Sequence, residues 1–271
     1  MLEPVVGADW VRAHPDITLV DVRWYLDERS GSAAYRTGHI PGAVWVDLDA
    51  VLSAPPDAVS GRHPIPDPVA FAEGLGRLGI ADDATVVAYD DNGGAYAARL
   101  VWLLRLIGQP AALLDGGLQA WPGELDPGVF EHPPTTRRVV DWPADAFRTA
   151  DEAEKAAVLL DARAPERYSG ESVLPSDVRS GHIPGAVNAP WAVNLNDDNT
   201  FANRAELTTH YGALGVTGDA DVTVYCGSGV TACHDLLALE LIGVRASLYP
   251  GSWSAWSADP TRPISTGNQP R

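Results

Sequence analysis

The hexapeptide Cys226-Gly-Ser-Gly-Val-Thr231 carries one of only two cysteines in the chain. It stands between a short β-rich run, Val222-Thr-Val-Tyr225, and a longer segment, Thr231 to Ile242, whose spacing predicts an amphipathic helix. Where a strand runs into a helix, the positive end of the helix dipole faces the connecting loop. Gly227 and Gly229 let that loop curl through positive φ, so that successive backbone N–H groups converge on one point, an anion-binding nest. Both effects stabilise negative charge on the Cys226 sulfur, the form of cysteine that attacks an electrophile. Ser228 and Thr231 add hydroxyl donors. Taken alone, the same residues also fit a small buried cysteine followed by a glycine-rich turn, so the rest of the chain has to decide.

The two halves of the sequence repeat each other. Val20-Asp-Val-Arg23 returns as Leu160-Asp-Ala-Arg163, and Gly38-His-Ile-Pro-Gly-Ala43 returns letter for letter as Gly181-His-Ile-Pro-Gly-Ala186. Val86-Val-Ala-Tyr89 matches Val222-Thr-Val-Tyr225, Leu106-Ile-Gly108 matches Leu241-Ile-Gly243, and Gly116 to Trp121 matches Gly251 to Trp256. Five matches in order at a nearly constant offset mark a duplicated domain, not a solenoid of short repeats. The spacing predicts an N-terminal domain over 1–123, a Pro- and Gly-rich linker over 124–136 and a C-terminal domain over 137–271. In each half, short buried strands (17–20, 84–88 and 111–114; 156–160, 222–225 and 246–249) alternate with helical patterns (68–78 and 95–107; 231–242). That alternation predicts an α/β fold with a mainly parallel sheet, whose ligands sit at the carboxyl ends of strands. The loop of the first half that matches the cysteine loop reads Asp90-Asp-Asn-Gly-Gly-Ala95. One copy keeps a thiol and the other an acid, which confines the chemistry to the second half.

Composition narrows the partners. Nineteen Lys and Arg against 36 Asp and Glu give a net charge of −17, the wrong sign for nucleic acid. An acidic body also repels small anions, so an anionic substrate needs local positive charge from a few Arg or from helix N-termini. The first ten residues show no basic segment leading into an apolar run, and no stretch approaches the roughly 18 apolar residues of a membrane span. A cytoplasmic protein with no membrane partner is the expectation. The two cysteines, Cys226 and Cys233, fit neither a disulfide framework nor a four-ligand zinc site, and no metal or organic cofactor is expected.

With the Asp-x-Arg after the first strand, the repeated Gly-His-Ile-Pro-Gly-Ala turn, the Cys-led loop and the closing Gly251-Ser-Trp-Ser-Ala-Trp256, the sequence resembles the tandem-domain rhodanese-like sulfurtransferases over nearly its whole length. The resemblance implies two rhodanese-like domains. It also implies that Cys226 takes sulfane sulfur from a donor, becomes a persulfide and passes the sulfur to a thiol, a thioredoxin-like protein or cyanide. Loops of thiosulfate-preferring members resemble Cys-Arg-x-Gly-x-Thr, whereas residues 226–231 match the loop of 3-mercaptopyruvate sulfurtransferases. Phosphatase-like members need an Arg six residues after the cysteine, and here that residue is Ala232.

The same resemblance assigns a donor-binding role to Arg167, whose guanidinium suits the mercaptopyruvate carboxylate. A second family Arg has no counterpart at the usual place, and Arg179 is the only Arg in that stretch. Gly227, Gly229, Val230 and Thr231 complete the expected binding loop. His39 matches a position proposed to relay a proton through Ser228, with Glu28 as a weaker acidic partner. Asp161 with Arg163, repeated as Asp21 with Arg23, reads as a structural ion pair. Trp24, Trp253 and Cys233 read as packing residues, and His234 as a surface one. Two rival functions remain at this point, a thiosulfate:cyanide sulfurtransferase and a non-catalytic sulfur-relay or binding module.

Overall fold

A computed structural model describes residues 2–27 and 29–270; Glu28 therefore lies outside the described residues. The chain forms two compact units. The first is built from Met1–Ala54, Ile65–Pro143 and Asn196–Phe201, the second from Pro55–Pro64, Ala144–Leu195 and Ala202–Arg271. Each half of the sequence thus lends a short segment to the unit formed mainly by the other half, and both segments lie in the loop ahead of a helix, Pro68–Arg77 or Arg204–Ala213. Arg137 packs in the first unit, donating to Ile80 O and to Gln109 Oε1, and the main run of the second unit opens at Ala144.

In the first unit, β1 (Val5–Val6), β2 (Thr18–Asp21), β3 (Val44–Trp45), β4 (Val86–Tyr89) and β5 (Ala111–Leu114) form a parallel sheet in the order β1-β5-β4-β2-β3. In the second, β6 (Val158–Asp161), β7 (Val187–Asn188), β8 (Val222–Tyr225) and β9 (Ser247–Leu248) form a parallel sheet in the order β7-β6-β8-β9. The orders β5-β4-β2-β3 and β9-β8-β6-β7 are the same arrangement. Even β1 has a trace of a counterpart, a single parallel bridge from Phe147 to Leu248 beside β9. The expected α/β fold with two parallel sheets flanked by helices is what forms. Central β4 and β8 are buried at all four residues, which is why β4 reads as a continuous apolar run and β8 departs from one only at Thr223.

The repeated turn is architectural in both units. His39 Nδ1 bonds Tyr35 O at 3.0 Å and its ring stacks on Tyr35; His182 Nδ1 bonds Tyr168 O at 2.9 Å and its ring stacks on Tyr168. The tyrosine hydroxyls donate to Ala43 O and Ala186 O, each at 2.7 Å. Ile40 N–H donates to Tyr89 OH and Ile183 N–H to Tyr225 OH, tying each turn to the end of the central strand. The Asp-x-Arg pairs are duplicated in the same detail. Arg23 and Arg163 each chelate their aspartate through Nε and Nη2, and each gives a further bond to a turn glycine, Gly38 O or Gly181 O.

At the carboxyl end of β4, the Asp90 side chain accepts four backbone N–H groups, those of Asn92, Gly94, Tyr96 and Ala97, at 2.8–2.9 Å. Burial raises this carboxyl above its usual range, and the four amides offset only part of that rise. The nest of the first unit is thus filled by its own carboxyl group. Asp90→Ala leaves those donors without an acceptor and is expected to cost about 2–5 kcal/mol of stability, read by urea denaturation.

Candidate active site

At the carboxyl end of β8 the chain passes through Cys226–Thr231 into the helix Ala232–Leu241. Cys226 is buried, and Gly229 N–H points at its sulfur with N···Sγ 3.2 Å. Among the described residues, no protein group accepts from the N–H groups of Gly227, Ser228, Val230 or Thr231. The loop is held from the other side by the segment after β9. Cys226 N–H donates to Ser252 Oγ, Trp253 N–H to Cys226 O and Ser254 N–H to Gly227 O.

The two loop glycines serve different ends. Gly229 has φ +78°, and a Cβ there would lie 2.7 Å from Pro250 O, so both backbone conformation and space require glycine. Gly227 does not have positive φ, contrary to expectation. A Cβ on Gly227 would instead lie 3.0 Å from Arg167 Nη2, 3.4 Å from Arg167 Nη1 and 3.3 Å from Arg62 Nη2. Two guanidiniums occupy the space into which a side chain at 227 would project.

Arg167 lies in the helix Pro165–Ser169, with Nη2 donating to Asp177 Oδ2 at 2.9 Å and a buried Nε that has no hydrogen-bond partner. Arg62 was not anticipated from sequence. It arrives on the lent segment Pro55–Pro64, where Gly61 passes against Gly251 and Ser254 with no room for a Cβ, and Arg62 N–H donates to Ser254 Oγ at 3.1 Å. Its Nη1 donates to Asp177 Oδ1 at 2.6 Å. The next residue, His63, is the second one that sequence reasoning missed, and its Nδ1 lies 2.7 Å from Ser228 Oγ.

Two further sequence expectations change. Arg179 is no donor ligand: Nε donates to Ser257 O, Nη1 to Arg262 O, and Nη2 to Trp256 O and Asp259 O. With every guanidinium nitrogen committed to a carbonyl, it ties down the chain that follows the helix Ser252–Ala258. Arg179→Met is expected to lose about 2–4 kcal/mol in denaturant titration while leaving kcat/KM of the folded protein unchanged. His39 is engaged with Tyr35 inside the first unit, and the ring at Ser228 is that of His63.

Second, the helix Ala232–Leu241 is not amphipathic. Residues 232–239 are all buried, His234 among them. Its ring meets Asn194 Nδ2 at 3.2 Å, and Asn194 in turn donates to Asp235 and accepts from Tyr211 OH. Asp235, wholly buried, has its carboxyl pushed up by desolvation. Cys233 is buried beside the loop, its Sγ 3.5 Å from Gly229 O, and both cysteines are free thiols. Trp253 is fully buried in the core of its unit, beneath the Arg163 guanidinium at 4.6 Å. Trp24 is half-buried and donates to Asp49 Oδ2. Burial raises the Tyr225 phenol well above its usual range, so it remains a neutral partner of the turn.

A family model of the rhodanese-like domain matches residues 8–124 and 144–259. The chain belongs to the rhodanese family. Within that family, the chain is 44% identical to a "probable 3-mercaptopyruvate sulfurtransferase" of Pseudomonas aeruginosa, over 94% of both chains. It is 42% identical to a Mycobacterium tuberculosis protein provisionally named thiosulfate sulfurtransferase SseB, over 96% of this chain and 94% of that one. Its fold is similar to the crystal structure of SseA from Escherichia coli, a 3-mercaptopyruvate sulfurtransferase, with a TM-score of 0.79 and 33% identity over 93% of this chain and 99% of that one. The rhodanese fold and the family resemblance expected from sequence both hold.

Proposed function

We propose that this protein is a sulfurtransferase that takes sulfane sulfur from 3-mercaptopyruvate onto Cys226 and hands it to a thiol, a thioredoxin-like protein or cyanide. Relatives named for the mercaptopyruvate and for the thiosulfate reaction stand at nearly equal identity, so the choice of donor rests on the loop. The observation that carries it is the surroundings of Gly227: a loop Arg of the thiosulfate pattern would project against two guanidiniums from outside the loop, whose nitrogens stand 3.0–3.4 Å from a Cβ there. A carboxylate is the group that a guanidinium binds in bidentate fashion.

In this reading Arg167 holds the donor carboxylate and sets the donor sulfur over Cys226. The thiolate attacks that sulfur, forming the S–S bond as the C–S bond of the donor breaks. The electron pair of the broken bond leaves on pyruvate enolate, which takes one proton to become pyruvate. Ser228, with His63 behind its hydroxyl at 2.7 Å, is the group we assign to deliver that proton. The persulfide then lies at the loop N–H groups, the second nucleophile takes its outer sulfur, and Cys226 returns as thiolate, giving ping-pong kinetics. A cytoplasmic setting, where a free thiol stays reduced, suits this cycle; among the described residues no helix is long and apolar enough to cross a membrane.

The test is a comparison of initial rates with 3-mercaptopyruvate and with thiosulfate, cyanide as acceptor. A higher kcat/KM for mercaptopyruvate is expected. A higher value for thiosulfate would contradict the donor assignment, and no turnover with either would leave only a relay or binding role.

A further inference from the structure

Resting on that reading, we infer that Arg62 is the second donor-binding guanidinium, and that Asp177 is a positioning residue that fixes the charge of the donor site to suit one carboxylate. The observations concern a cluster of three side chains. Asp177 is almost entirely buried, with 1% of its side chain exposed, and it gives one carboxylate oxygen to each arginine, Oδ1 to Arg62 Nη1 and Oδ2 to Arg167 Nη2. The arginines retain partial access, 24% and 19%. Each therefore spends one edge on Asp177. Arg62 Nη2 and Arg167 Nη1 lie 3.3 and 3.4 Å from the Cβ position of Gly227, next to Cys226 in the chain. Two forks from separate segments converge on one spot at the residue that follows Cys226, and neither belongs to the loop.

The cluster carries two positive charges and one negative charge, a net of +1. A mercaptopyruvate carboxylate neutralises it. The thiosulfate dianion leaves one charge uncompensated in a partly buried site, the kind of penalty that creates specificity by disfavouring the wrong partner. The carboxylate of Asp177 also keeps two like-charged guanidiniums together when no donor is present, so the site is formed before the donor arrives. The lent segment Pro55–Pro64 thereby has a chemical purpose. Pinned at Gly61 and at Arg62 N–H, it brings Arg62 and His63 together to the cysteine loop.

The experiment is steady-state kinetics of the full chain with both donors, using the unaltered protein, Arg62→Gln, Arg62→Lys and Asp177→Asn, with circular dichroism to verify folding. Arg62→Gln is expected to raise KM for mercaptopyruvate at least about tenfold with kcat nearly unchanged, the pattern of lost ground-state binding, and Arg62→Lys to recover part of that loss. Asp177→Asn makes the cluster +2 and is expected to raise the thiosulfate-to-mercaptopyruvate ratio of kcat/KM at least about tenfold. An unchanged KM in Arg62→Gln overturns the assignment of Arg62. An unchanged ratio in folded Asp177→Asn, or a parallel fall with both donors, overturns the role of Asp177. If Asp177→Asn does not fold, the two Arg62 variants decide. If the unaltered protein prefers thiosulfate, the donor assignment proposed above fails, yet the change in KM and in the ratio still judges this inference.

Discussion

Cys226→Ser is expected to abolish sulfur transfer from either donor, a fall of at least about 10³-fold in kcat. The persulfide needs a sulfur that can form an S–S bond, and a serine hydroxyl is neither ionised at neutral pH nor able to hold sulfane sulfur. The substitution keeps size and an acceptor for Gly229 N–H, so the loop should stay as it is. Circular dichroism and denaturation should match the unaltered protein. Loss of activity accompanied by loss of structure would say nothing of a nucleophile, so both measurements belong together. Cys233→Ser is the paired control. That residue lies within the buried helix rather than at the mouth of the loop, and activity should survive.

The second large effect is expected at Gly227. Gly227→Arg puts a third cation where two guanidiniums already come within 3.0 and 3.3 Å of the Cβ position. Arg167 must move from the place assigned to the donor carboxylate, and kcat/KM for mercaptopyruvate should fall at least about 10²-fold, as a loss of 2.8 kcal/mol or more of transition-state binding would give. Thiosulfate turnover should fall less, because added positive charge favours a dianion. Gly227→Ala should lie between, since a methyl group asks the guanidiniums to give way by only a few tenths of an ångström. Equal kinetics in Gly227→Arg and the unaltered protein would remove the reason offered here for glycine at this position.

Much of this site is legible in the sequence because the duplication supplies its own control. Strands such as 222–225, the helix after Cys226 and the contrast between Cys226 and Asp90 all emerge from comparing one half with the other. A turn present in both halves, one of them without a cysteine, is already suspect as architecture, and the matching stacks of His39 on Tyr35 and His182 on Tyr168 bear that out.

What stays hidden has a physical cause in each case. Two-residue strands such as β3 and β7 exist through pairing with a neighbour and have no period of their own. Arg62 and His63 sit in a proline-rich loop of the half that lacks the cysteine, and nothing local says that this loop belongs with the other unit. The equivalent lent segment carries Thr200-Phe201 and bonds Asp115 through Phe201 N–H, so the duplication conceals the difference instead of revealing it. Arg179 misleads because sequence records a cation near the expected place and not the four carbonyls that occupy it. His234 misleads because no partner for it is visible in sequence, whereas Asn194, itself bonded to Asp235 and Tyr211, meets its ring in the buried interior.

The most direct test of the central claim is intact-mass and peptide mass spectrometry of the reduced protein after a single exposure to 3-mercaptopyruvate without acceptor, with pyruvate assayed in the same sample. The account predicts one added sulfur per chain, located on the peptide bearing Cys226 and matched by one pyruvate, and its complete removal by cyanide. Added sulfur confined to Cys233, or pyruvate release with no sulfur on Cys226, would contradict it.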